Sequence, residues 1–288
     1  MYAVTGITGQ VGGAVARTLM AQGESVRAVA RDASKAAPWV ERGCDLAVAE
    51  MSDAAALTRA FAGADGVFVL IPPVFDPSPG FIEAAAVISA VRHAMAEVRP
   101  AHTVCLSTVG AQATQPNLLN QLAMMERELG ALHLPIAFVR PAWFMENAAW
   151  DVTSARAGMI QSFLQPLDRA IPMVATADIG VTAARLLRER WKGRRIVELR
   201  GPAPISPNEL AAVFGRLLGR PVAAHLVSRV EWESLFRSQG MRNPEPRIQM
   251  LDGFNQGWLS FEGGESIETV TGTTTLESVV HGLLAQPA

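Results

Sequence analysis

Tyr2-Ala3-Val4-Thr5-Gly6-Ile7-Thr8-Gly9-Gln10-Val11-Gly12 sets three glycines at strict intervals of three near the start of the chain. With 24 glycines in 288 residues, that spacing arises by chance in roughly one such chain in six, so the glycines alone decide little. Their neighbours decide more. Tyr2-Ala3-Val4 has the short apolar character of a buried strand, and after Gly12 the residues Val15, Ala16, Leu19 and Met20 recur at helical spacing up to Gly23. Ser25 to Ala30 then reads as a second strand. In a strand, glycine turn, helix, strand unit of this length each glycine has a task. Gly6 lets the chain turn off the strand, Gly9 clears space for a pyrophosphate, and Gly12 lets helix and sheet pack closely. The free amides of the first helical turn, in the Thr8-Gly9-Gln10-Val11 segment, are expected to face the anion.

The same cycle repeats along the chain. Helices are expected at Ser34–Glu41, after Asp53 as cap, at Phe81–Val98 and at Asn117–Leu132. Strands are expected at Cys44–Ala49, Val67–Ile71, Thr103–Ser107 and Ile136–Val139. The fold class is therefore α/β, a doubly wound, mostly parallel Rossmann sheet with a smaller C-terminal α/β lobe. A helix at Ala177–Trp191 and a strand at Arg195–Leu199 return to the main sheet. The expected division is 1–140 with 176–201 for the dinucleotide-binding domain, and 141–175 with 202–288 for the substrate-side lobe. In that lobe Ser206-Pro207-Asn208-Glu209 has the form of a capping box, a spacing that Thr274 and Glu277 repeat.

Composition narrows the function. A net charge of −2 supplies no field for nucleic acid or an anionic membrane. The lack of a long apolar run and of a leader pattern points to a cytoplasmic protein. Cys44 and Cys105 sit in apolar runs and read as core residues, and the five scattered histidines offer no metal-ligand spacing. At the end of the second strand, Arg31 precedes Asp32, with Lys35 close by. An arginine there suits a 2′-phosphate, which makes NADP(H) the expected cofactor. Asp32 is either the next helix's cap or, in a shifted register, a ribose ligand.

Thr5-Gly-Ile-Thr-Gly-Gln-Val-Gly12, Val29-Ala-Arg31, Val69-Leu-Ile-Pro-Pro73, Leu106-Ser-Thr-Val-Gly110 and Val139-Arg-Pro-Ala-Trp-Phe-Met-Glu-Asn147 together resemble the NmrA-like, atypical branch of the short-chain dehydrogenases/reductases. Ala177-Asp-Ile-Gly180, Asp252-Gly-Phe-Asn-Gln-Gly-Trp258 and Gly272-Thr-Thr-Thr-Leu-Glu277 extend the resemblance over nearly the whole chain. It implies an NADP(H)-binding Rossmann domain and members of two kinds, reductases that include quinone reductases, and nucleotide-sensing regulators without turnover. The Tyr-x-x-x-Lys pair used by most of the wider superfamily is absent. Tyr2 is the only tyrosine, the only lysines are Lys35 and Lys192, and Leu122 stands four residues ahead of the helix glutamate Glu126 where many family members carry lysine or histidine. Ser107 falls where the superfamily's catalytic serine falls, as a cofactor or substrate contact or simply a strand end.

A quinone requires no strong general acid, because hydride transfer leaves a delocalised anion that solvent can protonate. The expected function is hydride transfer from NADPH to a quinone or similar electrophilic small molecule, the alternative a redox-sensing regulator. Cofactor contacts are expected from Gly6, Thr8, Gly9, Gln10, Val11, Gly12, Arg31, Lys35, Ile71, Pro72 and Ser107, and acceptor contacts from Phe75, Pro141, Phe144 and Asn147, with Glu146 as apt to face solvent. No metal is expected. Beyond the acceptor, the partners considered are a second copy of the chain or a regulatory protein.

Overall fold

A computed structural model describes residues 1–286. In chain order its strands are β1 (Tyr2–Thr5), β2 (Val26–Ala30), β3 (Asp45–Val48), β4 (Gly66–Val69), β5 (His102–Leu106), β6 (Ile136–Pro141), β7 (Trp143–Phe144), β8 (Met159–Ser162), β9 (Ile171–Val174), β10 (Arg194–Arg200), β11 (Pro204–Ile205), β12 (Ala223–Leu226) and β13 (Glu268–Thr271). The α-helices are α1 (Gln10–Ala21), α2 (Ala33–Val40), α3 (Ala54–Phe61), α4 (Ile82–Val98), α5 (Asn120–Gly130), α6 (Val152–Arg156), α7 (Thr176–Arg188), α8 (Pro207–Leu218), α9 (Trp232–Ser238), α10 (Glu245–Gln256) and α11 (Leu276–Leu284).

Eight strands form the main sheet in the order β13-β10-β6-β5-β4-β1-β2-β3, every neighbouring pair parallel. Strand alternation divides the core. Val4, Phe68, Ala137 and Val139 face α1, α2 and α7, whereas Ala3, Val67, Val69 and Phe138 face α3, α4 and α5. The result is a helix–sheet–helix sandwich, the doubly wound Rossmann architecture that the alternation of elements predicts. Where α1 crosses α7, a Cβ on Gly180 would lie 2.6 Å from the Cβ of Ala14, so only small residues permit the contact. Both cysteines are free and buried; burial, reinforced by the charge of Glu126, pushes the Cys105 thiol far above its ordinary range, which leaves it unreactive. Among the described residues no helix is long and apolar enough to cross a membrane.

The second lobe is built on two small sheets, β11-β9-β7 and β12-β8, and a core around Met145, Ile160, Met173, Phe214, Phe254 and Val280. The capping box at Ser206 forms in full, with Glu209 reaching back to the Ser206 amide at 2.7 Å. The second one does not. Thr274 is taken by Asp178, whose carboxylate accepts both its amide and its hydroxyl, so α11 starts one residue later with Thr275 as cap. Residues 268–271, grouped with the smaller lobe on sequence, form the outer strand of the main sheet beside β10. The short polar run Glu268-Thr-Val-Thr271 carries no apolar signal because an edge strand is half exposed. Helix α5 begins at Asn120 instead of Asn117, because the Asn117 side chain accepts the Leu119 amide and holds the chain in a turn.

Asp151 ends a 3-10 segment (Met145–Asp151) that packs under α11. Burial pushes its carboxyl up to about 6 from an ordinary 3.8. Between those values the unfolded chain ionises while the folded one resists, so stability falls as pH rises through this window and the loss is complete above it. We expect Asp151→Asn to stabilise the protein by about 1–3 kcal/mol at pH 7.5 and far less at pH 4, read by urea unfolding at both pH values. An equal gain at the two would exclude this origin.

Candidate functional site

From β1 the chain winds outward through β2 to β3, then returns to β4 on the other side of β1. This reversal opens a crevice at the carboxyl ends of β1 and β4, where ligands bind in sheets of this kind. Thr5 closes its base, its hydroxyl donating to the Phe68 carbonyl (3.1 Å) and accepting the Leu70 amide (2.8 Å). Gly6 turns the chain off β1 with φ +64, a conformation that favours glycine. Gly9 is the N-cap of α1, no side chain caps that helix, and no acidic residue stands in its first turn. Thr8, Gly9 and Gln10 are exposed, whereas Val11 and Gly12 are buried. A Cβ on Gly12 would lie 2.3 Å from the Gly6 carbonyl oxygen, so helix and turn approach as closely as backbones can. An uncapped, positively polarised helix start beside a glycine turn suits a diphosphate.

Arg31, the first residue past β2, is exposed, as is Lys35 on α2. Asp32 caps α2: its carboxylate accepts the Ser34 amide (2.9 Å) and hydroxyl (2.7 Å), and these bonds hold it below its ordinary pKa.

Ser107 is buried at the end of β5, and its one hydroxyl proton is given to Glu126 at 2.6 Å. Arg140 grips the same carboxylate with two bonds (2.8 and 2.7 Å) and reaches Glu262 at 2.6 Å, with Glu198 at 4.0 Å. Burial works against this guanidinium's charge, but its bonds to Glu126 and Glu262 outweigh burial and raise its pKa. Glu126 is thus held by two partners and serves as an anchor between α5, β5 and β6. Glu146 does not face open solvent. Its Oε1 accepts the amide (2.8 Å) and hydroxyl (2.6 Å) of Thr176 at the start of α7, and its buried Oε2 has no partner among the described residues. Burial raises its pKa against the pull of Thr176.

Ile71 is buried, Pro72 exposed and Phe75 half exposed on the loop leaving β4. That loop is fastened to the second lobe by Asp76, whose carboxylate accepts the amides of Arg242 (2.9 Å) and Asn243 (2.6 Å). A cavity of about 350 Å³ lies beneath the fastening, bounded by Pro77–Phe81, Asn117, Asn120 and the α9–α10 connection. Pro141 ends β6 with its carbonyl taken by the Val109 amide (2.9 Å), Phe144 packs on the main core from β7, and Asn147 is partly exposed one turn later. The residues expected at the cofactor therefore lie at the carboxyl ends of β1, β2, β4 and β5 and the starts of α1 and α2, and those expected at the acceptor lie on the loop after β4 and on the stretch from the end of β6 through β7 to Asn147. Asp76, Thr5 and the Arg140 cluster were not singled out from sequence; a charged residue inside an apolar strand, such as Arg140 or Glu198, is the signal that marks the last.

The family model of the NmrA-like family matches residues 2–252. The chain belongs to the NmrA-like family. Relatives of this NmrA-like chain include the NAD(P)H azoreductase of Xenophilus azovorans, 27% identical over 258 residues that cover 89% of this chain and 85% of that one. Quinone oxidoreductase 2 of Escherichia coli is 27% identical over 293 residues, 98% of each chain. The triphenylmethane reductase of Citrobacter sp. superposes on the NmrA-like fold with a TM-score of 0.81 at 21% identity, over 99% of both chains, and has also been solved with NADP(H).

Proposed function

We propose that this NmrA-like chain is an NADPH-dependent reductase that delivers hydride to an electron-poor acceptor of the quinone class without a tyrosine–lysine pair. The observation that carries the reading is the uncapped start of α1 at the sheet's switch point, with Arg31 at the tip of the neighbouring strand. The names of the azoreductase and quinone oxidoreductase relatives agree with it.

The backbone amides of Gln10 and Val11 hold the diphosphate, Gly9 keeps a side chain out of its way, and Gly12 lets α1 close on the turn. Arg31 and Lys35 take the 2′-phosphate. Ile71, Pro72 and Ser107 line the path toward the carboxyl ends of β4 and β5. When bound, the nicotinamide supplies the hydride. Ser107 offers only lone pairs, because its proton belongs to Glu126. Tyr2 packs beside Gly66, at the amino end of the sheet, and takes no part. Phe75, Pro141, Phe144 and Asn147 position the acceptor and limit water, and the reduced acceptor takes its proton from solvent.

For Arg31→Ala we expect NADPH affinity to fall about 10- to 100-fold and NADH affinity less than about threefold, as for loss of a charge-assisted pair. Fluorescence titration with both nucleotides measures this, and equal losses would remove Arg31 from the phosphate site. NADPH oxidation with a panel of quinones tests the reaction. Tight, redox-dependent nucleotide binding without turnover would replace the reductase with a nucleotide-sensing regulator, acting alone, as a dimer or on a protein partner.

A further inference from the structure

Helices α9 and α10 pack through Trp232, Phe236, Ile248 and Leu251, a buried cluster on which Trp143 and Phe163 also rest. Trp143 follows Pro141 and Ala142 at the carboxyl end of β6, and its ring meets Phe254 edge-on with centroids 5.1 Å apart. Arg247 precedes Phe254 by seven residues, two helical turns, so both project from one face of α10, about 10 Å apart along its axis. The face that meets Trp143 therefore carries a guanidinium at its other end.

That guanidinium is half-buried and has no anionic partner among the described residues. It lies over the Phe236 ring at 4.4 Å from the centroid, and its Nη1 is 3.7 Å from the Met241 sulfur. Burial alone shifts its pKa, downward. Other arginines withdrawn from water differ. Buried Arg140 and half-buried Arg27, Arg185 and Arg195 each hold a carboxylate, and even the exposed Arg229, stacked on Trp232 of the same cluster, is paired bidentately with Asp252. A ring face and a thioether leave most of a guanidinium's five donors unused, and withdrawing such a group from water without an anion is costly. The ring also fixes the guanidinium plane, which prepares it for a two-toothed grip on an oxyanion.

We propose that Arg247 reads charge on the acceptor, taking a carboxylate, sulfonate or phosphate substituent on its unsaturated body. The proposal rests on the reductase reading and adds to it a substrate class, anionic acceptors. It is tested with NADPH and two quinones, 1,4-naphthoquinone-2-sulfonate and 2-methyl-1,4-naphthoquinone, on the wild type, Arg247→Gln and Arg247→Lys. The ratio of kcat/KM for the sulfonated over the methylated quinone should fall about 10- to 100-fold in Arg247→Gln, through KM, and recover in part in Arg247→Lys. An unchanged ratio would overturn the proposal. If neither quinone is reduced, the reductase reading fails, and calorimetry with the unreactive pair naphthalene-2-sulfonate and naphthalene-2-sulfonamide still judges Arg247. Sulfonate binding at least tenfold weaker in Arg247→Gln, with the sulfonamide less affected, supports it; equal affinities for the two ligands in the wild type, or equal losses, overturn it.

Discussion

Gly12→Ala should cost the protein about 3 kcal/mol of stability, a fall in Tm of roughly 4–6 °C, and should abolish measurable NADPH binding at concentrations that saturate the wild type. The added methyl would lie 2.3 Å from the Gly6 carbonyl oxygen, 2.5 Å from its carbon and 2.8 Å from the Thr5 carbonyl oxygen. All three are backbone atoms of the turn, so no side chain can rotate to relieve the overlap. The helix must retreat from the turn, and the amides at its start move with it. The same substitution at Gly282, within α11 where a Cβ meets nothing within 4 Å among the described residues, should instead stabilise by up to about 1 kcal/mol through helix propensity. Thermal unfolding and nucleotide titration of the two variants separate the effect of place from the effect of residue type. If Gly12→Ala binds NADPH like the wild type, the turn does not hold the diphosphate.

The features legible in the sequence are those whose physics is local. The apolar runs of β1, β4, β5 and β6 and the caps Asp53 and Ser206 draw on neighbours a few residues away, and the structure places them close to where periodicity does. The glycine turn is local too: Gly9 and Gly12 both pack on Gly6. What escaped is long in sequence. Asp178 reaches Thr274 across 96 residues, Arg140 reaches Glu262 across 122, and Asp76 fastens Asn243 across 167. The fragments Ala177-Asp-Ile-Gly180 and Gly272-Thr-Thr-Thr-Leu-Glu277 stand far apart in the sequence, and only the fold shows that they are two halves of one contact. In that contact a Cβ at Gly272 would strike the Asp178 carboxylate at 2.2 Å. Arg247 escaped for the opposite reason. Its significance is a missing partner, and a single sequence does not display absences of contact.

The Arg140 cluster is where these long-range ties carry the most energy. One buried cation is gripped by Glu126, touches Glu262 and stands near Glu198, and Glu198 in turn accepts the amides of Glu262 (2.7 Å) and Gly263 (3.2 Å). Arg140 and Glu198 are less than 5% exposed. Arg140→Met keeps the volume of the side chain but leaves Glu126 and Glu198 buried without their cation, for which a loss of about 3–5 kcal/mol is expected in urea unfolding at pH 7.5. Adding Glu126→Gln removes one stranded charge while preserving an acceptor for Ser107, so the double variant should be more stable than Arg140→Met alone. That reversal separates a charge effect from a packing effect, since a packing defect would make the second substitution neutral or worse. Because the cluster joins β5, β6, α5 and the 262–263 segment directly beneath Ser107, loosening it should also degrade turnover before it unfolds the chain. If Arg140→Met instead matches the wild type in both stability and kcat, the cluster carries neither the fold nor the floor of the crevice.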